Sequence, residues 1–203
     1  MATLLSVNVG TPREVSWTRG RRTAIEKHAV AGPVAVRTLG LDGDQVSNRK
    51  HHGGVDKAVY AFAREDLDHW GRELGRDLPD GFFGENLTTL GIDVNEAELG
   101  ERWRIGTVVL EVASFRTPCQ VFSSWLRVSG LDNTSWARRF AAAGRPGPYL
   151  RVVEEGELAA GDQIAVVWQP GHGVTVGAMF REAMSGGPVA TTNVSLATRE
   201  SRK

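Results

Sequence analysis

Six short runs rich in Val, Ile, Leu and aromatic residues recur along the 203-residue chain, at Leu4–Val9, Val34–Leu39, Ala58–Phe62, Val108–Ala113, Tyr149–Val153 and Ile164–Trp168. Runs of this length and composition read as strands, and Gly43-Asp44 and Gly161-Asp162 read as turns between them. Many short strands separated by Gly-containing turns predict a mainly β fold, a barrel or a sandwich. Three helices are expected as covers on that β core. Ala63, Leu67, Trp70 and Leu74 keep the i, i+4, i+7, i+11 spacing of one apolar face. Val121, Trp125 and Leu126 mark a second helix after Thr117-Pro118. Trp136 and Phe140 mark a third, with Asn133 or Thr134 as its N-cap.

The chain divides near Gln169. Residues 1–168 carry the β pattern. Gln169–Gly173 reads as a linker, 174–184 as one possible helix, and Ser185–Lys203 as a mobile tail rich in Ser, Thr and Gly with little to bury. Charge bounds the partners. Lys plus Arg and Asp plus Glu are both 24, giving zero net charge, so bulk attraction to nucleic acid or an anionic membrane is not expected. A single cysteine, Cys119, excludes an intrachain disulfide. No apolar run reaches membrane-spanning length and the N-terminus lacks a basic leader pattern, so the expected compartment is the cytoplasm.

Four clusters carry possible chemistry. In Phe115-Arg-Thr-Pro-Cys-Gln120, Thr117 reads as an N-cap, Pro118 as N1 and Gln120 as the far end of a capping box. That places Cys119 at N2, where the helix dipole and Arg116 favour a thiolate able to act as nucleophile, sulfur carrier or soft-metal ligand. The plainer alternative is a small buried Cys under a helix start. In the stretch Asn48-Arg-Lys-His-His-Gly-Gly-Val-Asp-Lys57, one of His51 and His52 is expected at the mouth of a strand. No His-x-x-x-His or second Cys accompanies them, so no structural zinc site is expected. His28, His69 and His172 read as surface or partly packed. In Phe82-Phe-Gly-Glu-Asn-Leu-Thr88, Glu85 and Asn86 either satisfy buried backbone or contact a ligand. Arg21, Arg22 and Lys27 form a basic loop able to meet phosphate or carboxylate, or simply a solvated one. Gly147-Pro-Tyr149 reads as turn chemistry.

Taken in order, Gly40-Leu-Asp-Gly-Asp44, His52-Gly-Gly-Val-Asp-Lys-Ala-Val59, Phe83-Gly-Glu-Asn-Leu-Thr88, Gly106…Arg116-Thr-Pro-Cys119, Gly147-x-Tyr-x-Arg-Val152 and Gly156…Gly161-Asp162 resemble the MOSC domain family. That module is named after the C-terminal domain of molybdenum-cofactor sulfurases. The compact arrangement resembles its bacterial stand-alone YiiM-like branch. The resemblance implies a closed β-barrel of the pyruvate-kinase-barrel type with peripheral helices, and makes the end of the chain a remnant of a small C-terminal helical domain. It implies that Cys119 ligates the metal of a molybdenum cofactor (molybdopterin) or carries sulfur. It further implies that Arg22, Lys27, Arg116 and Asn86 bind the cofactor, and that His52 is catalytic while His51 is a bystander. Arg22, Lys27, His52 and Arg116 are then expected to converge with Cys119 at one mouth of the barrel.

The function so implied is the catalytic component of a molybdenum-dependent oxidoreductase that reduces N-hydroxylated small molecules. Electrons are expected from a separate reductase, because the chain has no Gly-x-Gly-x-x-Gly fingerprint and no Cys cluster. No pyridoxal phosphate chemistry is expected, since no segment resembles a Lys Schiff-base site. Two other readings stay open: a sulfur carrier using a Cys119 persulfide, and a non-catalytic barrel that binds a small anion. The oligomeric state is left open.

Overall fold

A computed structural model describes residues 1–18, 22–47 and 52–186. The strands in chain order are β1 Thr3–Val9, β2 Arg13–Glu14, β3 Arg22–Thr23, β4 His28–Ala29, β5 Val34–Arg37, β6 Gly40–Leu41, β7 Val59–Ala63, β8 Leu87–Leu90, β9 Arg102–Ile105, β10 Val108–Phe115, β11 Pro148–Glu154, β12 Gly156–Leu158 and β13 Ile164–Trp168. The α-helices are α1 Arg64–Leu74, α2 Gln120–Val128, α3 Trp136–Ala143 and α4 Val176–Met184, with a single 3-10 turn at Val55–Lys57. Each predicted strand run contains a strand. Arg21, His51 and the tail from 187 onward lie outside the described residues.

Eight strands form one sheet in the order β13-β9-β10-β11-β7-β8-β1-β4, with β12-β5-β6 and β2-β3 as smaller sheets. The large sheet is mixed. Its β7–β8 pair is parallel and joined through α1, while its other pairs are antiparallel. The expected closed barrel is corrected here: the sheets are open. The two ends of the large sheet, β13 and β4, share no ladder. β1 already pairs with β8 and β4. The approach to β13 reaches β1 only through the isolated bridge Thr3–Gln163 and backbone bonds such as Leu4 N to Asp162 O at 2.8 Å. After β11 the chain turns away, so that β12 pairs with β5 instead of extending the large sheet.

Two apolar clusters hold these layers together. One lies within the strands, around fully buried Leu4, Leu87, Trp103, Ile105, Leu110 and Leu150. The other is aromatic and lies between the sheet and the helices, around Phe62, Trp70, Phe83, Phe122, Trp136 and Phe140. Each such side chain contributes roughly 1.5–3 kcal/mol when fully buried. Helix α1 is built as its spacing predicts, with Leu67 and Trp70 buried, and it stops at Gly75 in the left-handed conformation (φ 71°).

The segment read as a linker is fastened down. Gly171 and Gly173 N–H donate to the Glu98 carboxylate and Gln169 donates to Glu101. Helix α4 then sends Val176 and Met179 into the first cluster and Phe180 into the second. No helix among the described residues is long and apolar enough to cross a membrane.

Candidate functional site

The site grows from the end of β10. There the pairing with β11 slips between Val112 and Ser114, so Ala113 is an extra residue on the β10 side. Such a bulge bends and twists a strand and re-aims the residues beyond it. Here those residues are Phe115-Arg116, Thr117-Pro118 and helix α2. The helix start differs from the expected capping box. Cys119 itself is the N-cap, with extended backbone (φ −135°, ψ 157°), and its sulfur accepts the N–H of Phe122 at 3.4 Å. Thr117 therefore lies outside the helix and Gln120 is its first residue. At the cap the Cys119 sulfur still meets one unpaired N–H of the first turn, that of Phe122. The cap of α3 is likewise Ser135, in the left-handed region (φ 50°), in place of Asn133 or Thr134.

Arg116 is the hub. One terminal nitrogen donates to Cys119 Sγ at 3.4 Å, and the other meets Tyr149 Oη at 2.7 Å and His52 Nδ1 at 2.6 Å. The guanidinium also lies over the Tyr60 ring, 5.8 Å from its centroid. A guanidinium has no acceptor, so His52 Nδ1 must accept, which leaves the neutral ring with its proton on Nε2. Burial disfavours the Arg116 charge, yet Tyr149, Cys119 and Tyr60 around it raise its pKa above the usual arginine value. Among the described residues no carboxylate forms a salt bridge with Arg116. Its ring of partners consists of two phenols, an imidazole and a thiol. The cleft beside Cys119 is walled by Tyr60, Phe83, Phe122, Trp136 and Phe140. A larger surface cleft of about 520 Å³ lies at the C-terminal end of α1, away from these groups, and is lined by Asp68, Arg72, Arg76 and Asp77.

A second polar cluster contains Lys27 and Asn86. Lys27 Nζ is hydrogen-bonded to Asp44 Oδ1, and both side chains are under a tenth exposed. Asp44 also accepts the Gly10 N–H at 2.8 Å and Asn86 Nδ2 at 2.9 Å. Asn86 Oδ1 accepts the Tyr60 N–H, so this side chain ties β7, the loop before β8 and Asp44 together. Burial lowers the Lys27 pKa against the pull of Asp44, and the Arg116 charge lowers it further. Beside it Glu85 is fully buried. Its Oε1 accepts Gly81 N–H and the Thr88 hydroxyl, its Oε2 has no partner, and burial raises its pKa to about 7.

Of the residues singled out by sequence, Cys119 and His52 each contact Arg116 directly. Lys27 and Asn86 meet each other through Asp44 and adjoin the first cluster through Tyr60. Arg22 is exposed in β3 and donates to the Pro12 carbonyl at 3.3 Å; this bond does not reach either cluster. Sequence reasoning passed over Tyr149, Tyr60 and Asp44. Tyr149 and Asp44 stand inside quoted motifs, Gly147-x-Tyr and Gly-Asp, and the signal was a polar group beside each turn glycine.

The chain is 28% identical to YflK of Bacillus subtilis over 174 residues, covering 85% of this chain and 76% of YflK. It is 29% identical to YiiM of Escherichia coli over 164 residues, covering 79% and 71%. A Gibberella moniliformis protein named "Reductase" is 30% identical across 82% of this chain, which spans only 29% of that protein. In structure, YiiM from Geobacillus stearothermophilus superposes with a TM-score of 0.72 at 24% identity, covering 98% of both chains. The Escherichia coli YiiM structure superposes at 0.70 and 22% identity, covering 100% of this chain and 94% of that one. The MOSC domain pattern itself matches residues 48–165, a stretch holding Cys119, Arg116, His52 and Tyr149. Motif order, fold and relatives therefore agree that the chain belongs to the MOSC domain family.

Proposed function

We propose that this MOSC protein holds a molybdenum cofactor at the Cys119–Arg116 corner and is the catalytic component of a reductase for N-hydroxylated small molecules. The observation that carries the reading is an arginine with no carboxylate partner among the described residues, hydrogen-bonded to the sulfur of the chain's single cysteine. The donor set fits such a group. A molybdenum cofactor brings its own dithiolene sulfurs and a phosphate, so the protein needs to add one soft ligand and at least one cation. Cys119 Sγ would be the soft ligand and Arg116 the cation. Lys27 would contribute less, because Asp44 already offsets its charge. Among the described residues there is no group of three His, Cys, Asp or Glu to form an all-protein metal cage.

When bound, the cofactor would supply the electron pair that cleaves the substrate N–O bond. The balance is R–NH–OH + 2 e⁻ + 2 H⁺ → R–NH2 + H2O. Electrons would come from a separate reductase. His52, with its proton on Nε2, would protonate the departing hydroxyl, and Arg116 would hold it in that tautomer.

The test uses protein purified from cofactor-replete cells, with reduced methyl viologen as electron donor and a hydroxylamino-purine as substrate. Amine formation is expected in wild type. His52→Ala should lower turnover while cofactor content is retained. Loaded wild type that fails to reduce any N-hydroxylated compound would overturn the reaction. A stable extra sulfur on Cys119 without metal would favour the sulfur-carrier reading.

A further inference from the structure

Trp17 lies between β2 and β3, whose two-residue strands pair only with each other among the described residues. A hairpin this short is not stable alone and needs something to pack on. The Trp17 ring finds it in Trp125 of α2, with centroids 6.0 Å apart and planes tilted by 34°. Both indoles are half-buried. The Trp125 N–H donates to the Phe82 carbonyl at 3.2 Å, which fixes that ring. Among the described residues the Trp17 N–H has no hydrogen-bond partner.

From this pair a row of rings leads along α2 to the sulfur. Cys119, Phe122 and Trp125 follow at three-residue steps, so they share one face of the helix. Phe82 bridges the last two, with its centroid 6.3 Å from Phe122 and 5.7 Å from Trp125. Phe122 is itself a wall of the cleft beside Cys119. Helical rise puts Trp125 about 9 Å from Cys119 along the axis. The inner rings, Phe82 and Phe122, are buried in the aromatic core. Of the row, the Trp pair at its outer end keeps ring surface for a ligand.

We propose that Trp17 and Trp125 form a stacking shelf for the flat heteroaromatic part of the substrate, whose N–O group reaches the Cys119 corner. The proposal rests on the N-hydroxylated-substrate reading and adds to it a choice among such substrates. Indole rings stack on flat aromatic rings and gain little from a small aliphatic group. The free Trp17 N–H supplies a donor for a ring nitrogen of the ligand. A purine bearing a hydroxylamino group is long enough to lie along the row and use both of its ends. N-hydroxyurea carries the same reacting bond without a ring and would use the inner end alone. Losing one ring that stacks on a base weakens binding roughly 5- to 150-fold.

The test compares 6-hydroxylaminopurine with N-hydroxyurea, each reduced with methyl viologen by full-length protein from cofactor-replete cells. Trp17→Leu keeps apolar bulk under the hairpin and removes the stacking ring and its N–H. KM for the purine should rise about tenfold with kcat held, while neither constant for N-hydroxyurea moves by more than about twofold. Trp17→Phe restores a ring and should limit the rise to about threefold. If Trp17→Leu does not fold, Trp17→Phe carries the comparison, with that smaller rise for the purine alone. An equal rise for both substrates would show a purely structural role and overturn the proposal, as would an unchanged KM for the purine. Equilibrium dialysis with adenine, which has the ring and no N–O bond, reads the shelf without turnover. Its Kd should weaken about tenfold in Trp17→Leu. Adenine that does not bind wild type, or binds both proteins equally, would overturn the proposal. Loaded protein that binds adenine as expected and reduces neither compound would overturn the N-hydroxylated-substrate reading and leave the shelf standing, so the two fail separately.

Discussion

The cysteine cluster and the lysine cluster adjoin, contain similar residue types and are wired in opposite ways. Around Arg116 every described partner is formally neutral or a sulfur, so a cation stands in a half-buried cleft with its charge uncompensated by carboxylate. Around Lys27 the charge is matched at once by Asp44, which is itself held by Gly10 and Asn86. A buried cation that is already paired offers little to an incoming anion, whereas one without a carboxylate at a cleft has most to gain from it. The first arrangement is suited to a ligand and the second to holding the loops together. The difference shows why counting cations near a site says less than finding what neutralises each one.

The largest expected effect comes from breaking the closed cluster. Asp44→Asn leaves Lys27 buried without its counter-charge and should cost about 3–5 kcal/mol of stability, measured by urea unfolding. A loss below about 1 kcal/mol would show that the pair is not buried as described. Next is Glu85, whose carboxyl is protonated more readily in the fold than in the unfolded chain, where its ordinary value is 4.5. Between those two pH limits the native state binds the extra proton, so this residue makes stability fall as pH rises from about 4.5 to about 7. Glu85→Gln removes that slope. Its stability relative to wild type should improve by on the order of 3 kcal/mol from pH 4.5 to pH 8. Parallel stability curves for the two proteins across that range would contradict the buried carboxylic acid. The smallest effect sharpens the comparison itself. Arg116→Gln should cut retained pterin at least about tenfold, and Lys27→Met by only a few-fold. The reverse order would assign the anchor to the lysine cluster.

Much of this was legible in the sequence because it depends on local spacing. The strand runs, the apolar face of α1, and the grouping of Arg116 with Cys119 three residues later follow from periodicity and helix-start chemistry. The cap itself was misplaced by two residues, because Thr117 and Cys119 can both cap and local spacing does not choose between them. Closure of the sheet was not legible, since it depends on which neighbour β1 and β12 choose, a competition between distant strands. The pairing of Lys27 with Asp44 and the contact of Arg116 with Tyr149 were hidden for the same reason. They join residues far apart in the chain, and a Gly-Asp or Gly-x-Tyr turn gives no sign of which cation it will meet.

The most direct test of the account is the molybdenum and pterin content of the protein, wild type against Cys119→Ser, each purified from cofactor-replete cells. The substitution exchanges sulfur for oxygen with little change in volume, so folding should be preserved and only the soft ligand lost. The account expects close to one molybdenum per wild-type chain and a fall of at least about tenfold in the variant. Wild type without molybdenum, or equal molybdenum in the two proteins, would contradict the assignment of Cys119 as the metal-holding residue.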